Sequence, residues 1–123
     1  MHITRRTVLA SSAAALVARP TFAQDVIKVG VISSQTGPFA AVGRQMTAGI
    51  RLYMQEHGDV VAGKKIEIVL RDDAGVADQA RRQAQELVAS GQVQFLAGFT
   101  PTPAALAAAP IATQAKTPMV VMV

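Results

Sequence analysis

Two periods of apolar residues alternate along the chain and predict strands and helices in turn. The run Val26–Ile32 is rich in β-forming residues and stops at polar turn residues, which predicts a first strand. From Phe39 to about Gly58, apolar residues recur three or four positions apart and predict one face of a helix. The folded part therefore begins with a strand and a helix.

The same alternation continues to the last residue. A glycine turn precedes a strand predicted at 66–70, and the stretch 76–90 has an apolar stripe typical of a helix. A third strand is expected at 93–99, a third helix at 103–115 and a fourth strand at 118–123. This order predicts an α/β fold in which a parallel sheet carries helices on both faces.

The fourth strand is apolar almost throughout, which is typical of an inner parallel strand covered on both sides. The sequence ends inside that strand, so we expect an incomplete lobe. An open apolar sheet edge predicts that the chain by itself is unstable or aggregates.

The first 23 residues have the layout of a secretory signal peptide. A basic head is followed by an apolar run of 11 residues, Val8–Ala18, and by the small-x-small triplet Thr21-Phe22-Ala23. A membrane-spanning helix needs about 20 residues, so no stable membrane anchor is expected. Arg5 and Arg6 favour the twin-arginine route over the general secretory route. We predict export to the periplasm and a folded part covering residues 24–123.

Composition excludes several classes of function. The net charge is +4, but nine cationic and eight anionic side chains follow residue 23, and the single Tyr and four Phe offer no row of stacking rings. Nucleic acid is therefore not an expected partner. The chain has no cysteine and only His2 and His57, so neither a metal site nor a cofactor is predicted.

Three loops follow the strands and are the candidate ligand sites. They read "SSQTGPF", "RDDAGVAD" and "GFTPTP". In open parallel sheets, ligands bind beyond the carboxyl ends of the strands. None of the three has a glycine-rich nucleotide fingerprint or a phosphate-loop lysine, which favours another kind of small ligand.

The third loop predicts an anion site at the start of a helix. Thr102 precedes Pro103, the pairing preferred for an N-cap and the first helical position, and a helix start attracts anions. Phe99 or Thr100 could flank an organic ligand. The alternative is that Thr102 only caps its own helix and Phe99 belongs to the core.

The other two loops each leave two interpretations open. Gln35, Thr36 and Phe39 could line a pocket, or their loop could be a plain connection. Asp72 and Asp73 could bind a divalent cation, but no third carboxylate lies nearby, which favours a role as turn and helix-start acceptors.

Three stretches together resemble the branched-chain amino acid (Leu/Ile/Val) binding family, the type I periplasmic solute-binding proteins of ABC importers. They are "IKVGVISSQTGPFAAVGRQMTAGIRLYM", "VAGKKIEIVLRDDAGVADQA" and "AGFTPTPAALAAAPIATQAKTPMVV". The resemblance runs from Asp25 to Val123 and implies that residues 24–123 form the first part of an N-terminal ligand-binding lobe.

The resemblance also implies a function and a site. Members have two lobes that close on a small carboxylate-bearing solute and deliver it to a membrane permease, without catalysis. The family pattern places the solute carboxylate at Thr102 and places Val42 near the ligand, where some members carry a tyrosine. Two competing hypotheses are a hydrolase- or phosphatase-like enzyme using Asp72 or Asp73, and a ligand-sensing domain of a cytoplasmic regulator.

Overall fold

The computed structural model describes residues 25–90 and 93–123. The predicted signal peptide, residues 1–23, lies outside the described residues. Among the helices that are described, none is both long enough and apolar enough to cross a membrane.

Apart from one short additional strand, the strands and helices follow the predicted order. The elements are β1 (Val26–Ile32), α1 (Ala40–His57), β2 (Val60–Val61), β3 (Lys64–Arg71), α2 (Ala77–Ala89), β4 (Phe95–Gly98), α3 (Thr102–Gln114) and β5 (Met119–Val121). The sequence pattern did not predict β2, a two-residue strand that pairs antiparallel with the start of β3. Two residues are too few to show a period, so only the pairing identifies them as a strand.

One sheet holds all the described strands, in the order β2-β3-β1-β4-β5. Strand β1 runs parallel to β3 on one side and to β4 on the other, so that Val31 is level with both Leu70 and Ala97. Strand β5 continues the sheet parallel to β4. The chain first moves from β1 to β3 and then returns past β1 to β4, so the strand order reverses at the β1/β4 boundary.

Helices cover both faces of the sheet, as predicted. Ile32 and Leu96 point into the core beneath α2 and α3, whereas Val31 and Ile68 line a cavity shared with α1 residues. Successive side chains of a strand point to opposite faces, which separates these two sets. Helix α1 therefore lies on one face, and α2 and α3 lie on the other.

The core between the sheet and the α2/α3 layer is built from a few large side chains and many alanines. Leu87 of α2 is fully buried, and burying such a side chain stabilises the fold by about 1.5–3 kcal/mol. Alanines let α2 and α3 approach each other closely. The buried members are Ile32, Ala80, Ala84, Leu87, Val93, Leu96, Phe99, Ala104, Ala105, Ala108 and Ala112.

The α1 face of the sheet is less covered than the α2/α3 face. Strand β5 is an edge strand of the sheet, and Val120 and Val121 are 56% and 44% exposed, in agreement with the expected open apolar edge. An apolar groove of about 510 Å³, called the α1 groove here, lies between α1 and the sheet. Its lining is Met46, Gly49, Ile50, Tyr53, Met54, Gly58, Val61, Ile66, Ile68 and Met122.

Candidate functional site

The loops after β1, β3 and β4 meet at one edge of the sheet, as the sequence predicted. The amide of Ser33 donates to the Arg71 carbonyl at 3.0 Å, which joins the first two loops. The amide of Phe99 donates to the Ile32 carbonyl at 2.6 Å, and Ser34 Oγ donates to the Thr100 carbonyl at 2.5 Å. The meeting point coincides with the reversal of strand order, where open α/β sheets form a crevice.

Asp72 holds the loop after β1 in place. Its Oδ1 accepts from the amides of Gln35 and Ala74, each at 2.8 Å, and its Oδ2 accepts from the Thr36 hydroxyl at 2.7 Å. Burial raises the pKa of Asp72, but the hydrogen bonds from Thr36 Oγ1 and the backbone amides of Ala74, Gln35 and Thr36 together outweigh burial, and the pKa lies below its ordinary value. The ionised carboxylate is thus the form that orders the loop.

The side chain of Gln35 is half-buried and tied to the protein. Its Nε2 donates to Ser33 Oγ at 3.2 Å and to Thr47 Oγ1 at 3.0 Å. Arg44 Nη1 donates to the Gln35 carbonyl at 3.4 Å. Gln35 therefore links the loop to α1, and a ligand would compete with Ser33 and Thr47 for its amide.

Phe39 and Val42 give the start of α1 an exposed apolar surface. Phe39 is 38% exposed and immediately precedes the helix, and Val42 is 47% exposed on its first turn. The Phe39 ring packs over Gly75, where an added Cβ would lie 2.8 Å from Phe39 Cδ2. These two side chains are available to an organic ligand beside Thr36.

Two predicted ligand residues in the loop after β4, Phe99 and Thr100, are buried. Phe99 is fully buried in the core, which contradicts a role for its side chain in flanking a ligand and supports the core alternative. Thr100 is only 8% exposed. Gly98 has a φ of +103° and an added Cβ would overlap the Ile32 carbonyl, so the chain turns here where only glycine fits. That turn carries Phe99 inward.

Thr102 is the first residue of α3 and is exposed, in agreement with its predicted place at the helix start. The predicted capping role is wrong: the N-cap position is Pro101, and no side chain caps this helix. The helix begins one residue earlier than expected, so Thr102 already has helical geometry. Thr102 is thus an exposed hydroxyl residue at the positive end of the helix dipole, which suits an anionic group.

Asp72 and Asp73 serve as turn acceptors, as the favoured interpretation predicted. Asp73 Oδ1 accepts from the Gly75 amide at 2.9 Å, and the Val76 amide donates to the Asp73 carbonyl at 2.8 Å. Over residues 25–90 and 93–123, the structure contains no group of three His, Cys, Asp or Glu side chains that could hold a metal ion. The long-range partners of the pair, Ser34 and Gln35, were not predicted, because turn chemistry identifies only local acceptors.

An α/β lobe whose strand-end loops gather at a reversal of strand order, with an uncapped helix start among them, is the architecture of a small-ligand binding domain. The periplasmic binding protein family matches residues 26–123. The chain therefore belongs to the periplasmic binding protein family.

Individual relatives agree with this assignment. The chain is 51% identical over 100 residues to Leu/Ile/Val-binding protein homolog 6 of Brucella abortus (strain 2308), a match that covers 80% of this chain and 25% of that protein. The structure superposes with a TM-score of 0.78 and 54% identity on the solute binding protein of an ABC transporter from Rhodopseudomonas palustris BisB5, in complex with 3,4-dihydroxybenzoic acid. That match covers 80% of this chain and 27% of the other.

A second solved structure, the solute binding protein of an ABC transporter from R. palustris in complex with 4-hydroxybenzoate, matches with a TM-score of 0.75 and 44% identity. It covers 79% of this chain and 27% of the other. The chain thus spans about a quarter of the length of the relatives it matches.

Proposed function

We propose that this chain forms part of the extracytoplasmic solute-binding subunit of an ABC importer, and that the subunit is a receptor and not an enzyme. It binds a small carboxylate-bearing solute and presents it to a membrane permease. Residues 1–23 act as the export signal that brings it to the periplasm.

One observation carries this proposal. The uncapped start of α3 at Thr102 opens among the loops that follow β1 and β4, at the reversal of strand order. The amide and the hydroxyl of Thr102 at a helix start are suited to a carboxylate. The exposed Phe39 and Val42 add apolar surface for the remainder of an organic acid.

For the solute we propose a hydroxybenzoate first and a leucine-like amino acid second. Two similar solved structures hold 3,4-dihydroxybenzoate and 4-hydroxybenzoate, whereas the Brucella relative is named for Leu/Ile/Val. Both classes share the carboxylate.

No specific observation favours the alternative hypothesis of a hydrolase or phosphatase that uses Asp72 or Asp73. Asp72 accepts hydrogen bonds from Gln35, Thr36 and Ala74, and Asp73 is fully buried. A nucleophile or metal ligand must be reachable by substrate.

The proposal is tested by isothermal titration of the full-length protein with 4-hydroxybenzoate, 3,4-dihydroxybenzoate and L-leucine. At least one should bind, and Thr102→Val should weaken its affinity by about tenfold to a hundredfold, because a hydrogen bond to a charged group is worth about 1.5–3 kcal/mol. Valine keeps the shape of threonine and removes only the hydroxyl.

Thr113→Val supplies the matched control. Thr113 is exposed on the last turn of the same helix, so the same substitution should leave solute affinity unchanged. The proposal fails if none of the three solutes binds. The assignment of Thr102 fails if both valine variants bind the solute equally well.

A further inference from the structure

A buried polar cluster lies directly beneath the candidate site and joins the three loops. It consists of Ser34, Asp73 and Thr100, which are 0%, 0% and 8% exposed. Ser34 Oγ lies 2.6 Å from Asp73 Oδ1 and 2.5 Å from the Thr100 carbonyl oxygen. One hydroxyl thus connects the ends of β1, β3 and β4.

The cluster has more hydrogen-bond acceptors than donors. The Ser34 hydroxyl carries a single proton, yet two oxygens lie within hydrogen-bond distance of it. The Gly75 amide supplies a second donor to Asp73 Oδ1 at 2.9 Å. Among the described residues, Asp73 Oδ2 and Thr100 Oγ1 are buried without a partner. Burying one carboxylate oxygen and one hydroxyl without partners costs stability, so stabilisation does not account for this arrangement.

The position of the cluster gives it a role in the site. Thr100 is two residues before Thr102, and its carbonyl is held by Ser34. The preceding residue, Phe99, is fixed by its buried ring and by the hydrogen bond that its amide donates to the Ile32 carbonyl. Phe99 and Thr100 are therefore both held from the core side just before α3 begins. Ser34 is the side chain that holds Thr100.

We propose that Asp73 acts through Ser34 as a positioning residue for the ligand-binding start of α3. The single Ser34 proton is shared between Asp73 Oδ1 and the Thr100 carbonyl in a three-centre hydrogen bond. Asp73 thus keeps the hydroxyl where it reaches Thr100, and the Thr102 hydroxyl and amide are thereby fixed before a solute arrives. The two adjacent acids have different roles. Asp72 orders the loop after β1, whereas Asp73 acts through Ser34 on the loop after β4. This inference rests on the proposed function for its effect on affinity, because fixing a site in advance reduces the ordering cost of binding.

The test uses Ser34→Ala and Asp73→Asn in the full-length protein. Val93→Ala is the control, because Val93 is buried, 7% exposed, just before β4 and so at the opposite end of that strand from the cluster. It destabilises the fold without touching the loops. Asp73→Asn keeps the shape of the side chain and one acceptor, so it remains informative if Ser34→Ala folds poorly.

The first readout is amide hydrogen exchange across residues 99–105 without any solute. We expect exchange there to accelerate by about tenfold in both cluster variants, but not in Val93→Ala, because local opening depends on local contacts. The second readout is titration with 4-hydroxybenzoate and L-leucine, in which either cluster substitution should weaken binding by about tenfold. The double variant should lose no more affinity than the single variant with the larger loss, because Asp73 acts on Thr100 only through Ser34.

Three results separate the outcomes. If exchange at 99–105 and solute affinity in both cluster variants match those of Val93→Ala, the positioning role is wrong. If the wild-type protein binds neither solute but exchange accelerates as expected, the positioning role is supported while the proposed function loses its support. Additive losses of affinity in the double variant would contradict the coupling of Asp73 to Ser34.

Discussion

Asp72 and Asp73 are neighbours in sequence, yet their carboxylates contact different residues of the loop after β1. Successive side chains at the end of a strand point to opposite sides, so Asp72 accepts from Gln35 and Thr36 while Asp73 turns inward to Ser34. Turn chemistry predicted both as acceptors. Their different partners follow from the tertiary structure alone.

The lowered pKa of Asp72 predicts acid sensitivity of the loop after β1. A carboxylate whose pKa is lower in the folded state stabilises the fold above its unfolded-state pKa of about 3.9, and this contribution is lost as the pH falls through the folded-state pKa. Asp72→Asn should therefore be less stable than wild type at pH 7, and the difference should shrink as the pH falls below the unfolded-state pKa and through the lower folded-state pKa. Urea unfolding across that range measures it.

Thr36→Val is the companion variant for this experiment. It removes the hydroxyl that donates to Asp72 Oδ2 and should move the titration of Asp72 upward, toward its ordinary pKa, as followed by NMR. A constant difference between wild type and Asp72→Asn at every pH would contradict the role assigned to the ionised carboxylate.

At the scale of elements, α1 is placed by one close approach to the loop after β1. A Cβ added at Gly43 would overlap the Ser34 carbonyl and lie 2.9 Å from Ser33 Oγ, whereas Gly49, in the same helix, has nothing within 4 Å. The periodicity of α1 predicted its length and its apolar face. It did not identify which of the two glycines is a contact point, because both are simply small residues in a helical pattern.

Replacing these two glycines by alanine should change the stability of the protein in opposite directions. Gly49→Ala should stabilise the protein by up to about 1 kcal/mol, since alanine is the better helix former and meets no neighbour. Gly43→Ala gains the same propensity but forces α1 away from Ser34, and we expect a net loss on the order of 1–3 kcal/mol. Urea denaturation of both variants measures the difference, and equal stability would show that α1 does not depend on this contact.

At the scale of the whole molecule, the two faces of the sheet differ in cover. The α2/α3 face has a closed core, whereas the α1 groove exposes apolar side chains, including Tyr53 at 63%. The chain spans about a quarter of the length of its relatives. Exposed apolar patches and an open sheet edge promote association.

Residues 24–123 expressed by themselves should therefore bind the dye ANS and associate with rising concentration. Tyr53→Lys should reduce the ANS signal, because Tyr53 lines the α1 groove. Leu52→Lys is the control: Leu52 is 55% exposed on the same helix but is not part of the groove. Fluorescence titration and sedimentation measure both effects, and a monomer that binds no ANS would contradict the expectation.

The sequence by itself determined the order of strands and helices, the parallel sheet with helices on both faces and the three loops that carry the candidate site. Residue composition and periodicity are local properties. Strand β1 is rich in β-forming residues over seven positions, and α1 repeats its apolar residues about every 3.6 positions over eighteen. The location of the loops followed from the general rule for parallel sheets. Thr102 was correctly placed at a helix start for the same local reason.

Only the tertiary structure decided which of the candidate side chains remain accessible. Phe99 is aromatic and follows a glycine, which suits either a ligand contact or a core position, and the turn at Gly98 is what sends it into the core. The link from Asp73 through Ser34 to Thr100 likewise depends on residues far apart in the chain. Periodicity records how a residue relates to its neighbours in sequence, whereas burial and hydrogen-bond partners depend on which distant segments are brought together.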